Sequence, residues 1–109
     1  MKFNVIPIDK FKKEAKRLIR KFPSLKSELI SLNDILEVQP DLRTPLGNNC
    51  YKIRLAIKSK GQGKSGGARV ITYMINNDKD VYLLTIFDKS ELDSIDDKTL
   101  KTIIKSIKT

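Results

Sequence analysis

Apolar positions recur with a helical period over the first third of the chain and with a strand period over its middle. Phe11, Ala15, Leu18, Ile19 and Phe22 fall at i, i+4, i+7, i+8 and i+11, the spacing of one helical stripe. Pro23 ends that run. Leu25, Leu29, Leu32 and Leu36 repeat the spacing until Pro40, so two helices follow one another across a join short enough to force an antiparallel hairpin. Asp9 is the expected cap of the first helix and Ser24 of the second. Ahead of them, Phe3 to Ile6 reads as a short strand ended by Pro7.

After the polar stretch 40–49 the period changes to two. In Cys50–Lys58, Tyr51, Ile53, Leu55 and Ile57 point one way, and Lys52, Arg54, Ala56 and Lys58 the other. A glycine-rich loop over 59–68 leads into a strand from Arg69 to Ile75. Asn76 to Asp80 then gives a hairpin turn. Val81 to Phe87 is nearly all apolar and is expected to be the central strand, covered on both sides. Ser94 and Asp97 have the spacing of a capping box ahead of a last helix with Leu100, Ile103, Ile104 and Ile107 on one face. The order β-α-α-β-β-β-α predicts a single α+β domain over residues 1–109. Its sheet is largely antiparallel with the helical hairpin on one face, which leaves the Lys52/Arg54 face open.

Composition narrows the chemistry. The 109 residues include one cysteine and no histidine, which excludes an intramolecular disulfide, a structural zinc site and a histidine-based triad. No metal site is expected, because the acidic stretch from Asp88 to Asp97 matches no calcium loop and helix capping explains much of it. No apolar run is long enough to span a membrane and no signal peptide is apparent, so the expected location is the cytoplasm.

The formal charge of +9 is unevenly placed. Residues 42–77 hold Arg43, Lys52, Arg54, Lys58, Lys60, Lys64 and Arg69 and no acid, while residues 78–109 carry 6 bases and 7 acids. Lys52 and Arg54 share a strand face, and Arg69 opens the next strand beside them if the two are antiparallel. Cations gathered without acids repel one another, and a phosphate relieves them. The basic first helix, from Lys10 to Lys21, is either a solvated face or an RNA contact. Tyr73 alternates with Arg69 and either flanks the basic face or packs structurally.

Gly61 to Gly67 superficially suggests a nucleotide-binding loop. The position five residues before its Gly-Lys-Ser glycine is Lys58, however, and the loop feeds a strand rather than a helix N-terminus, so an NTPase is excluded. Two readings remain, a plain hairpin loop or a mobile basic flap over a phosphate backbone.

Three segments together, Cys50-Tyr51-Lys52-Ile53-Arg54-Leu55, Gly63-Lys64-Ser65-Gly66-Gly67-Ala68-Arg69-Val70-Ile71 and Val81 through Glu91, resemble the RelE/ParE superfamily of type II toxin–antitoxin toxins, most closely its HigB-type branch. The resemblance implies a RelE-like fold and a ribosome-dependent endoribonuclease, an mRNA interferase that cuts mRNA in the decoding site. It also implies a cognate antitoxin of helix-turn-helix type, with ribosome and mRNA as further partners and no cofactor. By motif position the catalytic cations fall on Lys52, Arg54 and Arg69, with Lys64 and Lys89 as further matches. Lys89 joins the catalytic group, and the basic stretch and its neighbouring strand add Lys58, Lys60, Lys64 and Tyr73 as RNA contacts. The sequence departs from the family in having Ser90 where some members place arginine, and no Tyr or His after Tyr82. A gyrase-inhibiting ParE-type toxin and a noncatalytic RNA- or ribosome-binding module are the alternatives.

Arginine stays protonated, so Arg54 and Arg69 are assigned to phosphate clamping. Lysine can release a proton when crowded by like charge, which makes Lys52 the candidate base or shuttle. Lys64 or Lys89 is left to serve the leaving group.

Overall fold

A computed structural model describes residues 2–41, 44–58, 66–75, 77–92 and 94–108. The elements are β1 (Asn4–Pro7), α1 (Asp9–Lys21), α2 (Leu25–Val38), β2 (Thr44–Gly47), β3 (Cys50–Leu55), β4 (Ala68–Ile75), β5 (Asp80–Asp88) and α3 (Asp97–Lys108). The strands form one sheet in the order β1-β5-β4-β3-β2, antiparallel throughout except that β1 runs parallel to β5. This is the expected α+β arrangement with one strand added. β4, rather than β5, lies at the centre, although both are interior.

The added strand comes from the polar stretch 40–49. Asn48 and Asn49 both adopt positive φ, 54° and 63°, the backbone of a two-residue type I′ turn that folds β2 back on β3. Asparagine tolerates that backbone where most residues do not.

The first sheet face is covered by α1 and α2. Phe11, Ala15, Leu18, Leu25, Leu32 and Leu36 pack on Ile53, Leu55, Val70, Val81, Leu83 and Ile86. Tyr51 lies against this core, partly buried, as its alternation predicts. The second face is not left open along its whole length. Leu100, Ile103 and Ile104 of α3 cover Cys50, Ile71, Tyr73, Leu84 and Phe87, because that face carries its own apolar patch.

The helix caps differ from the sequence reading. Asp9 is already helical, and the residue before α1 is Ile8, with no side-chain cap. Ser24 has αR backbone angles (φ −63°, ψ −20°), so its hydroxyl is not aimed at the next turn, and Ser27 Oγ instead donates to the Ser24 carbonyl at 3.0 Å. At α3 the cap is Asp96 rather than Ser94. Its Oδ1 accepts from Thr99 N at 2.7 Å, and these bonds hold the Asp96 carboxyl below the usual carboxylate range.

β1 is too short to cover the whole outer edge of β5. The parallel pairing ends at Pro7↔Leu83, and Ile8 N donates to Leu83 O at 3.2 Å. Beyond that point the Glu14 carboxylate on α1 replaces a strand. Its Oε1 accepts from Ile86 N at 3.3 Å and from Thr85 Oγ1 at 2.7 Å. Glu14→Ala leaves both donors without this acceptor and is expected to cost about 1–3 kcal/mol. Glu14→Gln, which keeps a carbonyl there, should cost less. Urea denaturation midpoints for the two variants test this, and equal losses would show that the acceptor is not what matters.

Candidate functional site

The β3–β4 register places Arg54 directly opposite Arg69, and Lys52 opposite Ile71. Like charges directly opposite one another on a rung repel. By alternation all three cations lie on the second sheet face. Their burial differs sharply: Arg54 is exposed, Lys52 half-buried and Arg69 only 3% exposed. Among the contacts of Arg69 is a bond from Nη1 to the Ala68 carbonyl at 3.0 Å. The buried guanidinium is therefore fixed in position, while Arg54 stands at the surface.

Lys89 joins the group through the backbone. The β4–β5 ladder ends at Ala68↔Asp88, and Lys89 N then donates to Gly67 O at 3.0 Å. That places the Lys89 backbone two positions beyond Phe87, the cross-strand partner of Arg69. The turn after β5 is organised by the buried Asp88, whose Oδ1 accepts from Ser90 N at 3.0 Å and from Ser90 Oγ at 2.9 Å. At the next residue, Arg17 of α1 forks onto both oxygens of Glu91, at 2.9 and 3.4 Å. That hydrogen-bonded charge holds the Glu91 carboxyl below its ordinary value and raises Arg17. The exposed pair stabilises little by itself, but it ties α1 to the segment that carries Lys89.

Gly67 shows why the glycine-rich segment ends as it does. A Cβ there would lie 1.9 Å from the Leu55 carbonyl oxygen and 2.9 Å from the Leu55 carbonyl carbon. Only glycine lets the chain cross the end of β3 and enter β4 at Ala68. The requirement is for space against backbone rather than for unusual dihedral angles.

Of the other expected contacts, Lys58 is exposed in a short turn after β3, which stops at Leu55 rather than continuing to Lys58. Lys60 and Lys64 lie outside the described residues. Tyr73 does not flank Arg69. It sits four positions along β4, only 6% exposed under α3, with its ring centroid 6.4 Å from that of Tyr82. Sequence reasoning missed Gly67, Asp88 and the Arg17–Glu91 tie. Only Gly67 left a signal, as the last glycine before a strand.

Among the described residues no three or more Cys, Asp or Glu side chains gather as metal ligands, and no helix is long and apolar enough to cross a membrane. The single thiol, Cys50, is buried, and that desolvation, reinforced by Asp97, raises its pKa to about 11. The protonated thiol is thus favoured in the fold. The stability it carries is intact below its unfolded value and is lost as pH rises through about 11. A thiol reagent at pH 8 should leave folded protein unmodified and label it fully in denaturant; rapid labelling of the folded form would contradict this burial.

Residues 9–109 match the family model described as the RelE toxin of the RelE/RelB toxin–antitoxin system. Solved structures of Escherichia coli proteins share the fold. A doubly substituted RelE toxin in the free state is 17% identical, with a TM-score of 0.54 over 85% of this chain and 90% of that one. The intact RelBE toxin–antitoxin complex matches at 21% identity and TM-score 0.53, over 79% of this chain and 95% of that one. The isolated RelE toxin matches at 19% identity and TM-score 0.53, over 96% and 98%.

Proposed function

The chain belongs to the RelE toxin family, and from that membership we propose that it is an mRNA interferase whose cutting site is the Lys52/Arg54/Arg69 face. The observation that carries this reading is the Arg54–Arg69 rung. Arg54 and Arg69 are cross-strand partners on β3 and β4, two strands that contain no acid. Like charges on one rung repel each other, and a phosphodiester, whose oxygens match a guanidinium fork, offsets that repulsion.

The reaction this group can perform uses the RNA itself as nucleophile. The 2′-oxygen gives up its proton and bonds to the adjacent phosphorus. The bond from phosphorus to the 5′-oxygen breaks, and that oxygen takes a proton. The products are a 2′,3′-cyclic phosphate and a free 5′-hydroxyl. Arg54 and Arg69 stabilise the charge that builds on the phosphorane, Lys52 accepts the 2′-proton, and Lys89 supplies the leaving group's proton.

With no histidine and no tyrosine after Tyr82, proton transfer rests on the lysines. Substrate positioning must then supply much of the rate, which is the physical reason for dependence on the ribosome, where bound mRNA is held in place. The partners are accordingly ribosomal mRNA and a neutralising antitoxin of helix-turn-helix type, and the site of action is the cytoplasm.

The test is a bacterial translation extract with end-labelled mRNA. Discrete cuts within codons, ending in cyclic phosphate, are expected. Intact mRNA with DNA supercoiling blocked would point instead to a gyrase poison. Intact mRNA with the protein bound to ribosomes would identify a noncatalytic binding module.

A further inference from the structure

We propose that the cavity between the β2–β3 turn and α3 is a subsite for one unpaired nucleobase of the same RNA strand whose phosphate is held at Arg54 and Arg69. The inference rests on the interferase reading and extends it from the phosphate to a base.

The cavity has a volume of about 310 Å³ and is lined by Asn48, Asn49, Tyr73, Lys101, Ile104 and Lys105. That volume lies at the lower end of the range for small-molecule sites and suits one nucleoside. Ile104 and Tyr73 contribute its apolar lining. Its polar groups divide into two kinds. Asn48 and Lys101 are already committed, since Asn48 Nδ2 donates to Asp97 Oδ1 at 3.3 Å and Lys101 Nζ lies 3.1 Å from Asp97 Oδ2. Among the described residues, the Asn49 amide makes no side-chain hydrogen bond and Lys105 makes no ion pair.

Those two uncommitted groups match what a nucleotide presents. An amide offers a donor and an acceptor side by side, which the hydrogen-bonding edge of an unpaired base complements. The Lys105 ammonium suits a phosphate. Position supports the assignment. Cys50, paired with Tyr73, and Lys52 and Arg54 are successive residues on one face of β3. The Cys50–Tyr73 rung therefore lies about 13 Å along the strand from the Arg54–Arg69 rung, with Lys52 between them. A single strand running along β3 beside α3 would pass from Arg54 across Lys52 to the cavity.

Two variants isolate the subsite. Asn49→Gly keeps the positive φ of 63° and removes the amide, and Lys105→Ala removes the cation from an exposed helix position. The readout is NMR of the labelled full chain with a 2′-O-methyl RNA hexanucleotide, which cannot be cleaved, and with an abasic sugar-phosphate strand of the same length. The base-bearing strand should shift the Asn49 side-chain amide and the abasic strand should not. Asn49→Gly should lower affinity for the base-bearing strand about 5-fold and leave the abasic strand unaffected. Lys105→Ala should reduce the slope of log affinity against log salt by about 0.7.

Equal Asn49 shifts from both strands would overturn base recognition in favour of a phosphate contact. Shifts at Lys52 and Arg54 without any at Asn49 would overturn the subsite and leave the interferase reading standing. No shifts anywhere on the face would remove both.

Discussion

Arg69→Lys is expected to lower mRNA cleavage in the translation extract by about 10²-fold, and Arg69→Ala by about 10³-fold, the range seen when one preorganised donor to a developing oxyanion is removed. Arg54→Ala should cost less, about 10-fold, because burial separates the two arginines. Arg69, at 3% exposure with Nη1 on the Ala68 carbonyl, is already fixed and desolvated, so its charge acts at low dielectric with little reorganisation. Arg54 is exposed, screened by water and free to sample many rotamers. The same burial makes Arg69→Ala an ambiguous variant, since truncating a buried stem also removes packing. Arg69→Lys keeps the stem and the charge and loses only the planar fork. Its thermal midpoint should stay within a few degrees of the parent while cleavage falls. If Arg54→Ala proves more damaging than Arg69→Lys, the exposed residue is the principal clamp and the assignment reverses.

Where burial is one-sided and periodic, the fold was legible in the sequence. The stripe Phe11, Ala15, Leu18 and the stripe Leu25, Leu32, Leu36 are the residues that α1 and α2 bury. The alternation through Tyr51, Ile53 and Leu55 also placed Lys52 and Arg54 on the opposite face. Legibility ended where a few residues act through backbone geometry or through a partner distant in sequence. The strand Thr44–Gly47 has four residues, one of them proline, and carries no period. Its only trace is the Asn48–Asn49 pair, which fits an I′ turn. Glu14 looked like one more charge on a solvated helix, and nothing local shows that it accepts from Ile86 N. Ile71 pairs with Thr85 but Thr72 with Leu83, so Leu84 is an extra residue at a bulge and strict alternation fails in β5, and Tyr73 falls under a helix that the sequence did not place on that face.

The glycine-rich segment shows the same limit most sharply, because its glycines suggest flexibility whereas one of them is required for space. Gly67→Ala is expected to destabilise the protein by on the order of 3 kcal/mol, a drop of roughly 12 °C in thermal midpoint. The added methyl would sit 1.9 Å from Leu55 O, 2.9 Å from Leu55 C and 3.1 Å from Ala56 Cα. All three are backbone atoms, so no side chain can turn aside, and β3 and β4 must part where Leu55 pairs with Ala68. Gly47→Ala is the control. Gly47 has φ +86° but nothing within 4 Å of its Cβ position, so it should cost only the left-handed backbone penalty of about 1 kcal/mol. If Gly67→Ala melts no lower than Gly47→Ala, the close approach is not what holds this junction. Activity gives a second readout. Gly67 O receives Lys89 N, and the next residue but one is Arg69. Any shift that relieves the methyl moves the backbone anchoring Lys89 and the strand start carrying the buried guanidinium. Cleavage by the fraction still folded should therefore fall at temperatures well below the midpoint, whereas Gly47→Ala, at the far turn of β2, should leave it unchanged.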